Sequence, residues 1–427
     1  SGALERAWWG PLICHREGVI DEGKRPYPAL ERITRYAGVR GGLADLRVRP
    51  ALRALGAFNE LVPGSQYAGR LNQGEGLEVH AFGSSTAQVH VVWTINGRAA
   101  ALQDIYTDDD LRAAAFRCRN GEILPERPSL ASESPLYVVW SPARTVTLKP
   151  SAALLPDVVI HCHTSERMHY YFREGDWRGI VLARDAHEAA RLLEKIHPDC
   201  IGAPMRNASL RYARNAIWTI NDPRAEGGKL VIKQPVRISL HKKFLDRFKP
   251  SKALRSWNGT CELLRRGVSA APPVAFFESL DSRDPMANYY VCEHVAAECT
   301  ARELALALPA SEFLGVPEDE VLQQLATFLL RMHAGGIFFR DLSGGNILIR
   351  RRDDGKLDFS LIDTGRLRAN NLPLSLGERV ADLVRICNKM QSGVREHFLM
   401  HYLGSARLRL SAWRRLSFEL YDRKVNL

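Results

Sequence analysis

The sequence predicts a multidomain chain in which a small antiparallel β-sandwich precedes a larger α+β domain. Three observations support this prediction. The length of 427 residues exceeds that of most single domains. Short alternating runs of apolar and polar residues, separated by turns, occupy residues 69–140. A helical pattern, a polar loop and a β-rich stretch then follow one another between residues 318 and 365.

The first 60 residues are typical of loop and helix. Pro28 suits the first turn of a helix. Apolar residues then recur at helical spacing at Leu30, Ile33, Tyr36 and Ala37. A second helix is expected over 46–55.

The sandwich is predicted from strands over 76–81, 88–93 and 135–140, with turns at Asn96-Gly97 and Asn120-Gly121. This part of the chain resembles the C-terminal end of TIM-barrel retaining glycosidases, where a last barrel helix leads into an accessory β-sandwich. The resemblance is carried by GKRPYPAL at 23–30, ALQDIY at 101–106 and ESPLY at 133–137. It implies a helical remnant of a barrel end over 1–60 and the sandwich over 61–145. The barrel strands that present two catalytic carboxylates are absent from the sequence, so we expect no hydrolase chemistry.

The cysteine content and the apolar runs of the sequence indicate in which cellular compartment the protein is expected. Eight cysteines are scattered without a CxxC pair, which excludes a disulfide framework and favours the reducing cytosol. No apolar run reaches the roughly 18 residues of a membrane-spanning helix. The chain starts at Ser1 with neither Met nor an apolar leader, and we expect a processed form or a piece of a longer reading frame.

A net charge of +11 indicates an acidic partner such as nucleic acid, anionic lipid or a phosphorylated glycan; a merely solvated basic surface is the alternative. The basic residues concentrate in two clusters. The first contains Arg237, Lys242, Lys243, Arg247, Lys249, Lys252 and Arg255. The second contains Arg407, Arg409, Arg414, Arg415, Arg423 and Lys424. We expect no nucleic-acid partner, because neither cluster is predicted to present a base-stacking surface.

The most informative motif is FRDLSGGN at 339–346, followed 17 residues later by Asp363-Thr364-Gly365. Phosphoryl transfer requires a carboxylate to accept the hydroxyl proton, oxygen ligands for Mg²⁺ and a cation for the ATP phosphates. Asp341 is the predicted catalytic base, and Asn346 and Asp363 are the predicted metal ligands, because Mg²⁺ prefers hard oxygen donors.

These two segments resemble the H-R-D-L-x-x-x-N loop and the D-F-G motif of protein kinases, which implies a protein-kinase-like bilobal fold that binds ATP and Mg²⁺. By the same resemblance, Lys233 in KLVIK at 229–233 holds phosphate and pairs with Glu262, the one acid of a helix over 252–266 that Ser251 caps. Glu293 and Val295 lie in the expected hinge, where backbone groups meet adenine.

Several departures from the protein-kinase pattern limit which class of phosphate acceptor is expected. No glycine-rich loop precedes Lys233; the corresponding turn is expected near 214–216 or 221–223. Phe339 replaces the usual histidine and Thr364 the usual phenylalanine. The segment between Asp363 and a helix near Gly377 is short and lacks A-P-E, so a small molecule or a glycan is the expected acceptor. Asp382 is the acid expected to brace the catalytic loop.

The chain from 167 to the end is similar to the lipopolysaccharide kinase family. The similarity rests on PSKALRSWN at 250–258 with LLRRGV at 263–268 and Pro272-Pro273, on the loop 339–349, and on 363–367 leading to Asp382-Leu383. It implies an ATP-dependent kinase that phosphorylates Kdo or heptose of a lipid-linked glycan at the cytoplasmic face of the inner membrane. Residues 205–427 are the expected phosphotransferase domain, and 146–204 its linker and lead-in.

The basic clusters fit an anionic membrane surface, because anionic lipid attracts lysine and arginine. Two alternatives remain open. One is a kinase-fold binding or regulatory module with impaired transfer, and the other is a protein or aminoglycoside-type kinase.

Overall fold

The computed structural model describes residues 20–21, 47–48, 50–62, 64–72, 74–161, 167–202, 204–237, 249–281, 286–406 and 408–426. The chain divides into two compact units, Ser1–Pro156 and Asp157–Leu427. Each unit contains antiparallel sheets together with helices, so the predicted multidomain α+β fold class is confirmed. The predicted helix from Pro28 and the motif at 23–30 lie outside the described residues.

The first unit begins with two short paired strands and a helix: β1 (Ile20–Asp21), β2 (Arg47–Val48) and α1 (Pro50–Leu61). The helix expected over 46–55 therefore starts later, because Pro50 fits a first helical position and the preceding residues pair as a strand. The remaining elements are β3 (Gln66–Arg70), β4 (Leu77–Gly83), β5 (Gln88–Thr94), β6 (Ala100–Ala101), α2 (Leu102–Ile105), α3 (Asp108–Ala113), β7 (Ala115–Arg117), β8 (Leu130–Ala131) and β9 (Leu136–Trp140).

These strands form a five-stranded antiparallel sheet in the order β3-β4-β5-β9-β7, with β6 and β8 as a separate pair. Alternate residues of β4 are buried, as the alternating sequence predicts. One cluster of buried residues packs Val79, Val92 and Val138 against α2 and α3, and another packs Val89 and Val91 beside Ala57 of α1. Both faces of the sheet are thus covered.

His90 lies fully buried in β5. Its Nδ1 is 3.1 Å from the Tyr106 hydroxyl, and its ring packs edge-on against Trp140. Burial lowers the pKa of His90 to about 4, and the nearby charge of Asp110 only partly opposes this. His90 is therefore a neutral core residue at neutral pH.

The second unit contains a seven-stranded antiparallel sheet in the order β10-β11-β15-β16-β14-β13-β12. Its strands are β10 (Met168–Glu174), β11 (Trp177–Ala183), β12 (Ser209–Tyr212), β13 (Asn215–Asn221), β14 (Lys229–Pro235), β15 (Pro273–Ser279) and β16 (Asn288–Glu293). The helices α4 (Ala186–Ile196) and α5 (Pro198–Ile201) follow β11. Most of the segment expected as a linker and lead-in thus belongs to this sheet and its covering helix.

A long helix, α6 (Lys252–Arg265), packs on the sheet, with Trp257 fully buried beside Phe276. The Ser251 side chain accepts a hydrogen bond from the Leu254 N–H, which confirms the predicted N-cap. Gly259 lets the helix approach residue 364 closely, because a Cβ there would lie 2.3 Å from the Thr364 carbonyl oxygen. The sequence of α6 therefore places it against the Asp363-Thr364-Gly365 turn.

The rest of the unit is mainly helical around one core. Its elements are β17 (Cys299–Thr300), α7 (Ala301–Ala307), β18 (Glu312–Phe313), β19 (Val316–Pro317), α8 (Glu318–Ala334), β20 (Ile337–Phe338), β21 (Ile347–Arg351), β22 (Leu357–Leu361), β23 (Arg368–Ala369), α9 (Leu376–Cys387), α10 (Ser392–Ala406) and α11 (Ala412–Asn426). The predicted helix over 318–334 and the predicted hairpin after Asn346 are both present. Within the described residues, none of the helices combines the length and apolar composition needed to cross a bilayer.

Candidate active site

The loop predicted to be catalytic runs between β20 and β21. Asp382 of α9, which is fully buried, accepts hydrogen bonds from the backbone N–H groups of Phe339 (2.6 Å) and Arg340 (2.7 Å). These bonds hold Arg340 in a left-handed conformation with φ of 68°, which residues with a Cβ rarely adopt. The predicted bracing role of Asp382 is confirmed.

A histidine supports this brace from α8. His333 is buried, with Nε2 3.6 Å from Asp382 and Nδ1 2.7 Å from the Tyr402 hydroxyl of α10. Burial lowers the pKa of His333 more than the Asp382 carboxylate raises it. A neutral imidazole therefore links the buried Asp382, and with it the Asp341 loop, to α10.

The glycine pair in the loop allows α7 to approach it. A Cβ on Gly344 would lie 2.7 Å from the backbone nitrogen of Arg302, and one on Gly345 would lie 3.2 Å from the Arg302 guanidinium. This packing places a cation beside the loop. Larger residues at Gly344 would push the helix away.

Asp341 and Asn346 are brought together by the short turn between them. The Asn346 Nδ2 donates a hydrogen bond of 2.8 Å to the Asp341 carbonyl oxygen. The loop thereby orients the amide nitrogen, and the carboxamide oxygen is the atom predicted to bind the metal. The Asp341 carboxylate is partly exposed and lies 3.3 Å from the guanidinium of Arg366.

Asp363 follows β22 and also has a left-handed backbone, with φ of 59°. The Ile362 N–H donates a 3.0 Å hydrogen bond to the Asn346 carbonyl, so the two predicted metal ligands stand on neighbouring strand ends. The Asp363 carboxylate accepts a 2.6 Å hydrogen bond from the Lys233 Nζ of β14. Lys233 thus links the sheet to the helical part of the site.

The electrostatics of Asp363 are set by opposing effects. Burial acts to raise its pKa, but the charge of Lys233 and its hydrogen bond, aided by Arg366 and Arg211, outweigh burial and hold the pKa of Asp363 below its usual value. The carboxylate is therefore ionised at neutral pH, as a metal ligand must be.

The predicted ion pair between Lys233 and Glu262 is wrong for this structure. Glu262 pairs instead with Arg265, at 3.2 Å, and with Arg266. The reason is helical geometry. Glu262 follows Thr260 by two residues, or about 200° around the helix, so it lies away from the face that meets the Asp363 turn.

That face of α6 carries hydroxyl groups in place of an acid. The Thr260 Oγ1 lies 2.9 Å from both the Tyr290 hydroxyl and the Thr364 Oγ1, and Thr364 donates to the Ser256 carbonyl at 2.8 Å. All four residues are buried. Thr364, at the position where protein kinases have phenylalanine, thus fixes the turn through hydrogen bonds.

The residues predicted to form the hinge lie at the end of β16 and just after it. The Glu293 carboxylate pairs with Arg167 at 2.7 Å and with Arg224 at 3.0 Å, and its backbone N–H donates to the Pro272 carbonyl. Val295 follows the strand and is partly buried. The predicted role of Glu293 and Val295 in adenine binding stays a prediction.

The structure also adds two arginines that the sequence reasoning missed. The turn between β12 and β13 is short, at residues 213–214, which matches the first of the two predicted positions. Arg211, just before it, acts electrostatically on Asp363, and Arg366 contacts Asp341. The position of Arg366, one residue after Gly365, could have indicated from the sequence that it lies near the site. No such local pattern marks Arg211.

Comparisons with known proteins add little to this geometry. No family model matches the chain, and no curated protein matches it. A solved structure entitled "WaaP in complex with acyl carrier protein" is similar over 50% of this chain and 86% of that one, with 16% identity and a TM-score of 0.39.

Proposed function

We propose that the second unit is an ATP- and Mg²⁺-dependent kinase that phosphorylates a sugar hydroxyl of a lipid-linked glycan, with Kdo or heptose of the lipopolysaccharide core as acceptor. The observation that carries the proposal is the 2.6 Å contact between Lys233 and Asp363. It joins a strand lysine to an aspartate that stands beside Asn346 and close to the Asp341 loop. A cation, a base and two oxygen ligands are thereby gathered as phosphoryl transfer requires.

Each residue has a distinct task in this proposal. Asp341 accepts the proton of the attacking hydroxyl, and Lys233 leaves Asp363 to bind the ATP phosphates. Asn346 and Asp363 would hold Mg²⁺, since their side chains offer a carboxamide oxygen and an ionised carboxylate. When bound, the ion neutralises phosphate charge.

The acceptor class follows from what surrounds Asp341. Residues 364–375 contain a short 3₁₀ turn and the two-residue β23 before the Ser375 cap of α9, which leaves no extended segment on which to rest a peptide. Arg340 and Arg366 are exposed and border the loop. A compact anionic acceptor such as an acidic or phosphorylated sugar fits these charges.

The direct test measures the transfer of labelled phosphate from ATP to deacylated lipopolysaccharide core. Asp341→Asn should lower the rate by at least about 100-fold, the usual minimum for removing a general base. Asp358→Asn is the matched control, because this partly exposed carboxylate lies on β22 and pairs with the surface residues Arg350 and Arg352.

The outcomes separate the parts of the proposal. Transfer that survives in Asp341→Asn would refute the assigned base. Binding of Mg-ATP without transfer to the core would exclude this acceptor. Failure of the wild-type protein to bind ATP would refute the kinase proposal as a whole.

A second candidate is a kinase-fold binding or regulatory module, and one observation favours it. Lys233 is neutralised by Asp363 rather than by an acid on α6, so the residue that would hold phosphate and the residue that would hold metal occupy each other. An enzyme must separate this pair when nucleotide binds. ATP titrations with and without Mg²⁺ distinguish the two, because a binding module would show affinity without turnover.

Membrane association belongs to the same proposal. Of the two basic clusters, Lys242, Lys243, Arg247 and Arg407 lie outside the described residues, whereas α11 carries Arg414, Arg415, Arg423 and Lys424. We propose that α11 meets an anionic membrane surface. Sedimentation with anionic vesicles should fall steeply with salt, and salt-independent binding would contradict the idea.

A further inference from the structure

A histidine–carboxylate cluster lies away from the candidate active site, between α8 and α10. Asp319 occupies the first turn of α8, and His397 and His401 lie one turn apart on α10. The Asp319 Oδ1 is 2.9 Å from the His397 Nε2 and 2.8 Å from the His401 Nε2. One ligand atom from each residue lies within 4.8 Å of the other two.

The two histidine side chains converge on one oxygen atom of Asp319. The i, i+4 spacing puts both imidazoles on one face of α10, and their rings stack with centroids 5.2 Å apart. Both Nε2 atoms point at the same carboxylate oxygen, although either one alone would satisfy a surface ion pair. The two histidines are partly buried, while Asp319 is 62% exposed.

We propose that Asp319, His397 and His401 bind a divalent transition-metal ion of the zinc class. Two imidazoles and one carboxylate suit Zn²⁺, Co²⁺ or Ni²⁺, whereas Mg²⁺ requires oxygen ligands. The site therefore differs in chemistry from the one proposed for Asn346 and Asp363. Three protein ligands leave one position of a tetrahedral ion for water or another small ligand.

The change in geometry needed to bind an ion is small. Ligand bonds of about 2.0–2.1 Å place tetrahedral donor atoms roughly 3.3 Å apart, so Asp319 must withdraw by about half an ångström. Its exposed side chain has room to do so. Each imidazole binds the ion as the neutral tautomer that carries its proton on Nδ1, which leaves the Nε2 lone pair for the metal.

An ion here would tie the first turn of α8 to α10. The last turn of α8 is joined to α10 as well, since the Tyr402 hydroxyl lies 2.7 Å from the His333 Nδ1. Neighbouring residues His401 and Tyr402 thus reach opposite ends of α8. The expected effect is structural, a higher thermal stability in the presence of the metal.

The test uses the tag-free full chain after treatment with a chelator. Calorimetric titration with Zn²⁺ should show one equivalent bound, and Co²⁺ should give the visible absorption of a tetrahedral site. His397→Gln with His401→Gln should lower the affinity at least tenfold and abolish the rise in melting temperature. His187→Gln, an exposed histidine on α4, is the matched control and should bind as the wild type does.

Two results would overturn the proposal. One is no saturable binding of Zn²⁺ or Co²⁺ by the wild-type protein. The other is binding that persists unchanged in the double variant. Asp319→Asn guards against a folding defect, because it keeps the shape of the side chain and removes only the charged ligand; it should weaken Zn²⁺ while leaving the metal-free melting temperature nearly unchanged.

Discussion

Asp382→Asn should destabilise the second unit far more than its conservative nature suggests. The carboxylate accepts two backbone N–H groups, those of Phe339 and Arg340, at 2.6 and 2.7 Å. An asparagine keeps one acceptor oxygen but turns an NH₂ group toward the other N–H. One donor is then left without an acceptor in a fully buried place.

The magnitude follows from these contacts. A hydrogen bond to a charged group contributes about 1.5–3 kcal/mol, and an unsatisfied buried donor costs about 1–3 kcal/mol. The left-handed Arg340 adds about 1–2 kcal/mol of backbone cost that the brace now offsets. We expect a loss of about 2–4 kcal/mol in the free energy of unfolding, with weaker phosphotransfer because the Asp341 loop loosens.

Urea denaturation followed by tryptophan fluorescence and circular dichroism measures this loss. Asp358→Asn serves as the control, since its ion pairs with Arg350 and Arg352 are exposed and should contribute less than about 1 kcal/mol. If Asp382→Asn unfolds within about 0.5 kcal/mol of this control, the bracing argument is wrong.

Two further predictions concern packing and pH. Gly259→Ala should lower the free energy of unfolding by about 1–3 kcal/mol, because its Cβ would lie 2.3 Å from the Thr364 carbonyl oxygen. Gly377→Ala, which has open space around it, should raise the free energy of unfolding by about 0.5 kcal/mol. Equal urea denaturation midpoints for the two variants would contradict this prediction. His90, whose pKa falls from 6.5 to about 4 on folding, stays neutral in the core while the unfolded chain takes up a proton. The contribution of His90 to the free energy of unfolding should therefore be fully present above pH 6.5. It should decrease by about 1.4 kcal/mol per pH unit as the pH falls from 6.5 toward 4. Unfolding of His90→Gln over the same range should be less pH-dependent, and an identical profile would remove His90 as the cause.

Elements with strong local patterns could be predicted from the sequence. The helix over 318–334, the Ser251 cap and the hairpin ahead of Asp363 all depend on residues close in the chain, namely periodic leucines, a hydroxyl before an amphipathic run and alternating apolar residues. The bracing of the loop by Asp382 was also predicted, although it is a distant contact, because the motif fixes which residues meet.

The partners of charged residues could not be predicted in the same way. Glu262 was chosen as the one acid on α6, but only the rotation of the helix on the sheet shows that Thr260 faces the site instead. Arg211 reaches Asp363 from a different strand, with no local pattern to announce it. Such contacts depend on how whole elements are placed, which the amino-acid spacing does not encode.

The strands β10 and β11 also decide where the second unit can be cut. Five residue pairs join β11 to β15, from Trp177 with Ser279 to Val181 with Ala275. A fragment that starts at Met205 would leave the backbone N–H and C=O groups of β15 open along that side, next to the buried Phe276 and Phe277. Exposed edges of this kind recruit other chains. Soluble expression of the second unit alone should therefore require a start before Met168, and shorter fragments should aggregate.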